Sequence, residues 1–127
     1  MLNLRKVAIL GVCLIMGLVA GCGRAGVSAA APQFATPYQA VLLDTGLVYY
    51  GKISGLDTEF PVLHDVYYIQ QSTDPQTKQV SNVLIRRGNE WHGPSETVLN
   101  SRHIVMVEPV GPGSKVAQLI EEQQKKK

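Results

Sequence analysis

From residue 38 onward, apolar and polar positions fall into short runs separated by turn residues, the pattern of a β-rich domain. The run YQAVLL (38–43) ends at Asp44-Thr45-Gly46, a hairpin turn signal. LVYYGKIS (47–54) returns, dense in β-branched and aromatic residues. Gly51 within it marks a bulge or sharp bend. PVLHDVYYIQ (61–70) predicts a third strand, and the polar stretch 71–81, with Asp74-Pro75, an exposed loop. NVLIRRG (82–88) predicts a fourth strand. Residues 89–101 read as loop with a turn at Gly93-Pro94, and RHIVMVEPV (102–110) as a fifth strand ended by Gly111-Pro112-Gly113. In the last segment Ser114 can cap a helix, because its hydroxyl can accept an unpaired backbone N–H. Val116, Leu119 and Ile120 then fall on one helical face, so a short amphipathic helix either packs on the sheet or frays.

Five short strands joined by tight turns imply a mainly β domain whose sheet closes on itself, since closure removes edges that would template aggregation. The expected core is Val41, Leu43, Leu47, Tyr49, Ile53, Val62, Val66, Tyr68, Val83, Ile85, Ile104 and Met106. Several strands are apolar on both sides, which leaves the inward face open.

The first residues follow a different pattern. Arg5 and Lys6 precede an apolar stretch, residues 7–19, that is shorter than the about 20 residues of a membrane span and is interrupted by glycine. A charged start, an apolar centre and small residues at the end make a secretory signal peptide. Residues 23–37 are rich in Ala, Gly and Pro without periodicity and read as a flexible spacer. The expected organisation is therefore a signal peptide (1–21), a linker (22–37), a small β-domain (38–110) and a C-terminal helix with a basic tail (111–127).

Val19-Ala20-Gly21-Cys22 resembles the lipobox of bacterial lipoproteins, with Val19 where leucine is commonest. The resemblance implies cleavage between Gly21 and Cys22 and a diacylglyceryl group on the Cys22 thiol. It also implies a domain held outside the cytoplasm on the cell membrane or the outer membrane, with Gly23 mildly favouring the latter. Cys13 fits less well, because branched Val12 precedes it. The segments QAVLLDTGLVYYGKIS, VLHDVYYIQ, NEWHGP and VLNSRHIVMVEPV resemble an uncharacterised bacterial domain of the small-barrel, SH3/Sm-like kind. This resemblance covers most of 38–110, implies a five-stranded barrel and brings no activity with it. Lipobox, spacer and small barrel together are similar in architecture to the YgdI/YgdR-type lipoproteins, from which this chain departs in its greater length and its strand sequences.

Charge narrows the partners. Of the 12 basic residues, Arg5 and Lys6 lie in the signal segment, so the part after Gly21 balances ten basic against ten acidic side chains. A formally neutral domain gives no reason to expect nucleic acid. The lysines at 125–127 are a local basic run, able to favour an anionic surface or simply to be a solvated end.

Catalytic signals are sparse. His64-Asp65 pairs a base with a carboxylate, but strand neighbours point to opposite faces. His64, His92 and His103 lack the i, i+2 or i, i+4 spacing of a metal site. Nucleophile elbows, HExxH helices and phosphate loops are missing. Acylation of Cys22 and loss of Cys13 would leave neither a disulfide nor a free thiol. Arg86-Arg87 could meet RNA as Sm-like proteins do, but export and neutral charge oppose this and favour a solvated edge. NEWHGP is the most distinctive loop: Trp91 is the only tryptophan, and tryptophan is a frequent binding anchor, although it can equally plug a barrel end. Tyr50 and Tyr67 are the aromatic neighbours expected to join it in a contact patch. The sequence thus points to a membrane-tethered envelope lipoprotein, a non-catalytic binding or scaffolding module. It needs no cofactor beyond the lipid on Cys22, and its expected partners are the membrane and an envelope protein. The alternatives are an envelope enzyme with an unrecognised active site and an Sm-like RNA-binding barrel on an uncleaved anchor.

Overall fold

A computed structural model describes residues 30–126. The segment read as a signal peptide, the expected cleavage site between Gly21 and Cys22 and both cysteines lie outside the described residues. Six strands are present: β1 (Gln39–Leu43), β2 (Val48–Ser54), β3 (Val62–Thr73), β4 (Val80–Arg86), β5 (Glu96–Val98) and β6 (Ile104–Pro109). A 3-10 turn, Ser101–His103, leads into β6, and one helix, α1 (Lys115–Lys125), closes the chain. All strand pairs are antiparallel, in the order β4-β3-β2-β1-β6, with β5 also on β3.

The domain is mainly β with a C-terminal helix, as the sequence pattern implies. The strand count and the closure need correction: there are six strands rather than five, and the sheet is open. The sixth strand lies inside the segment read as loop. Arg86 pairs with Tyr67, Arg87 N–H donates to the Val66 carbonyl, and Glu96 then pairs with His64. β4 and β5 are thus two halves of one strand along β3, interrupted by an excursion over residues 88–95. Its three-residue second half offers little edge for β6 to pair with, so the ladder ends at β4/β5 on one side and at β6 on the other. Leu99 N–H extends the β5–β3 pairing to the Pro61 carbonyl and its side chain is buried with Val41, Leu63 and Val66, while Asp44 N–H extends the β1–β6 pairing to the His103 carbonyl.

Gly51 marks a bulge, as its place in an otherwise branched and aromatic strand suggests. The β2–β3 register shifts between Tyr50 and Lys52, so that Asp65 and Val66 together oppose Gly51. Asp65, the extra residue, has φ +47°, a left-handed conformation that Asp tolerates better than most. The β1–β2 turn is equally local: Gly46 takes φ +83° and its N–H donates to the Leu43 carbonyl.

The curled sheet buries both faces, which is why its strands read as apolar on both sides. On the inner face Val41, Leu63, Val66 and Leu99 are buried together, with Leu43, Tyr49, Ile53, Ile104 and Val107 against them. On the outer face Tyr67 and Leu84 are buried with Ile120 of α1, and Tyr38, Tyr50, Val116 and Leu119 pack around them. α1 packs rather than frays: the Ser114 hydroxyl accepts from Ala117 N–H, and Gln123 Nε2 donates to the Leu84 carbonyl at 2.7 Å. Helix cover on the outer face explains why Leu84 is in the core while its expected inward neighbour Val83 is 43% exposed. Leu47 and Met106, also expected inside, are exposed.

β3 and β4 run on past the body as an exposed ribbon, through Gln71 opposite Asn82 to Thr73 opposite Val80. With no buried face to enforce alternation, this ribbon has the polar composition of a loop.

Candidate binding site

The excursion 88–95 is fixed at its base and free at its tip. Glu90 does the fixing. Its carboxylate accepts from Gly88 N–H at 2.6 Å and from Arg87 Nε at 2.9 Å, and its carbonyl accepts from Gly93 N–H at 2.7 Å. The Gly88 amide above all, with the Arg87 guanidinium, pulls the Glu90 carboxyl down to about 2. Arg87 reaches inward from the same base: its Nη1 donates to Thr97 Oγ1 at 3.3 Å, and its guanidinium lies 5.6 Å from the centre of the Tyr49 ring. The two ends of the excursion are therefore cross-linked through one arginine. Gly88 (φ +121°) and Gly93 (φ +52°) supply the left-handed corners.

Trp91 sits inside the tight 90–93 turn with its side chain wholly in solvent. It plugs no end of the sheet. A side chain of this size left outside the fold gains nothing from folding.

Beside the loop, Arg86, Arg87, Gly88, Asn89, Gln123 and Lys126 line an open cleft of about 480 Å³. Three of these six are cations and none is an acid. Arg86 is held by Asp65, at 3.0 Å, and Asp65 also holds Lys52 at 2.8 Å. The Lys52 ammonium, with Arg86 beyond it, keeps the Asp65 carboxyl below its ordinary value. The bulge therefore fixes an ion triad at the root of the cleft.

The other candidate residues do not gather here. Tyr67 is 1% exposed beneath α1 and belongs to the packing, not to a contact patch. Tyr50 is half-buried on the same outer face and lines a groove of about 320 Å³ with Ala40, Leu42, Val48, Met106 and Val116. His64 stands 3.7 Å from Glu96, while its chain neighbour Asp65 turns to the cations. His103 Nδ1 meets Asp44 Oδ2 at 2.6 Å, tying the entry of β6 to the β1–β2 turn, and His92 is exposed near the loop tip. Among the described residues no three His, Cys, Asp or Glu side chains stand close enough to hold a metal ion, and no helix is long and apolar enough to cross a membrane.

Sequence reasoning found Trp91 but missed Glu90, which stands next to it. A carboxylate two residues beyond a glycine is a recognisable loop brace, and Arg87 three residues before it is the matching cation. The outer-face burial of Tyr67 had no local signal, because the helix that covers it lies about fifty residues later in the chain. Compared with protein-family models and with curated proteins, the chain has no match in either.

Proposed function

We propose that the protein is a lipid-tethered, non-catalytic binding module of the cell envelope, anchored through Cys22 and capturing its partner with the Trp91 loop. The observation that carries the binding role is a wholly exposed tryptophan on a turn braced at both ends by Arg87 and Glu90. Bracing matters because a loop already held in one conformation loses less freedom on binding, so more of the contact energy appears as affinity. The anchoring role rests on the charged, apolar and small-residue pattern that ends at Cys22. The small-barrel, SH3/Sm-like reading fits a curled sheet around Val41, Leu63, Val66 and Leu99.

Crosslinking from positions 89 and 92 in cells tests the binding role. A discrete partner is expected for the wild-type chain and its loss for Trp91→Ala. Equal capture by both chains removes the Trp91 loop from the function. Substituting His64, His92 and His103 together tests catalysis: an envelope enzyme loses its cellular function, whereas the binding module keeps it.

A further inference from the structure

We propose that residues 31–37 are a releasable strap that gives the tether two lengths, with the Gln39 side chain as its latch. The proposal goes beyond the tethered-module reading and rests on it for what the strap is tied to.

The segment expected to be spacer throughout is docked at its end. Residues 31–37 lie along the end of β2, beside Ile53, Ser54, Leu56 and Asp57. Ala31, Phe34 and Thr36 are half-buried, while Pro32, Gln33, Ala35 and Pro37 are exposed. The chain bends over 35–37 and is out of the β1–β2 ladder there. Gln39 pairs with Gly51, so two residues farther out Ile53 would face Pro37. The Ile53 N–H donates instead to Gln39 Oε1 at 3.1 Å. The other half of the same amide donates from Nε2 to the Thr36 carbonyl at 2.6 Å. Gln39 is 4% exposed, so water cannot readily replace either bond. One buried side chain thus completes β2 on one side and holds the strap on the other.

The hold is strong at one point and weak elsewhere. Among the described residues no main-chain hydrogen bond joins 31–37 to a strand. A segment with few buried apolar contacts opens at a small fraction of the global unfolding free energy. β1 does not depend on the strap, because it is paired on both sides, with β2 and with β6. The strap can therefore lift while the sheet stays whole.

Lifting changes reach. Ala31 is nine positions from Cys22, at most about 32 Å of extended chain, and Tyr38 is sixteen, at most about 58 Å. A linker too short to span two sites lets only one be occupied, and one longer than needed dilutes the second. The docked strap suits a partner close to the bilayer. Release lets the Trp91 loop follow a partner farther out while the anchor holds.

Spin labels on Gln33→Cys and Asp57→Cys, exposed positions on the strap and on the body, read the two states in the full-length lipoprotein as a distance distribution. With Gln39 in place a short, narrow distance is expected, with a minor broad component beyond it. Gln39→Glu keeps an acceptor for Ile53 N–H but, when ionised, has no donor for the Thr36 carbonyl. At pH 7 it is expected to raise the ratio of broad to narrow by about tenfold or more, as the loss of one buried hydrogen bond implies. In acid the protonated carboxyl can donate again, and the short distance is expected to return. Phe34→Ala, on the strap itself, is expected to shift the ratio in the same direction while the Val41 amide in β1 stays protected from exchange. A narrow distance unmoved by both variants overturns the proposal, as does a broad distribution with Gln39 in place. Loss of Val41 protection in Phe34→Ala also overturns it, by making the strap part of the fold. Intact mass before labelling separates the two readings. A bare Cys22 overturns the tether, whereas an acylated Cys22 with an unmoved distance overturns the strap alone.

Discussion

Gly51 and Leu63 are in contact across β2 and β3 so closely that position 51 has no room for a methyl group. A Cβ there would stand 2.9 Å from Leu63 Cδ2 and 3.0 Å from the His64 carbonyl oxygen. The side chain can give way but the backbone oxygen cannot do so without disturbing the bulge that sets Asp65. Gly51→Ala is therefore expected to destabilise the domain by about 1–3 kcal/mol, the usual range for overpacking. Urea unfolding measures this, and Gly51→Ala combined with Leu63→Val is expected to recover part of the loss and not all of it. Full recovery would mean that the His64 carbonyl is no obstacle.

α1 is expected to be part of the cooperative fold. Ile120 is 2% exposed between Tyr67 and Leu84, so Ile120→Ala should cost about 2–5 kcal/mol. Ser114→Ala, which removes the acceptor for Ala117 N–H, should cost about 1 kcal/mol. Both are read from the midpoint of chemical unfolding. A negligible effect of Ile120→Ala would place the helix outside the folding unit.

The Glu90 brace is expected to fail in acid. The carboxyl falls from 4.5 to about 2 on folding, so the ionised form is favoured in the folded loop. Its contribution is fully present above pH 4.5 and is lost as the pH falls toward 2. Protection of the Gly88 amide, its exchange rate relative to the intrinsic rate at each pH, should therefore fall over that interval while the amides of β1 and β2 stay protected. Glu90→Gln should leave Gly88 weakly protected at every pH. A Gly88 amide that stays protected at pH 2 would contradict the assignment of the Glu90 carboxylate as its acceptor.

Trp91→Ala is expected to leave stability within about 0.5 kcal/mol, since the side chain touches nothing that folding depends on. If Trp91 is the anchor, the same change should weaken partner binding by about 2 kcal/mol or more, roughly thirtyfold. Titration of the captured partner against both chains reads the ratio. A large loss of stability would instead show that Trp91 packs in the folded protein.

Cys22→Ser is expected to remove the acyl mass and release the protein from membranes. Fractionation and intact mass read both, and an unchanged mass would exclude Cys22 as the acceptor.

The sequence carried those parts of the fold that are encoded locally. Asp44-Thr45-Gly46 announced its turn, Gly51 its bulge and Ser114 its cap, because each depends on a residue type and a few neighbours. The strand at Glu96–Val98 was hidden because three residues are too few to show alternation, and what makes them a strand is the pairing of Glu96 with His64, thirty-two positions away. Leu84 and Tyr67 were hidden for a related reason: which face counts as inside was decided by a helix at the far end of the chain. At the site, Trp91 was legible by its rarity and its turn. The cleft was not, since Arg86 and Lys126 meet only when α1 crosses the sheet.

The interrupted strand has a consequence for how such a protein can change over time. Arg87 and Glu96 each dock on β3 on their own account, so the stretch between them hangs from two fixed posts. Substitutions, or even added residues, can accumulate there without moving the pairing on either side. The scaffold can thus keep its architecture while the segment it displays is rewritten, much as a handle accepts different blades.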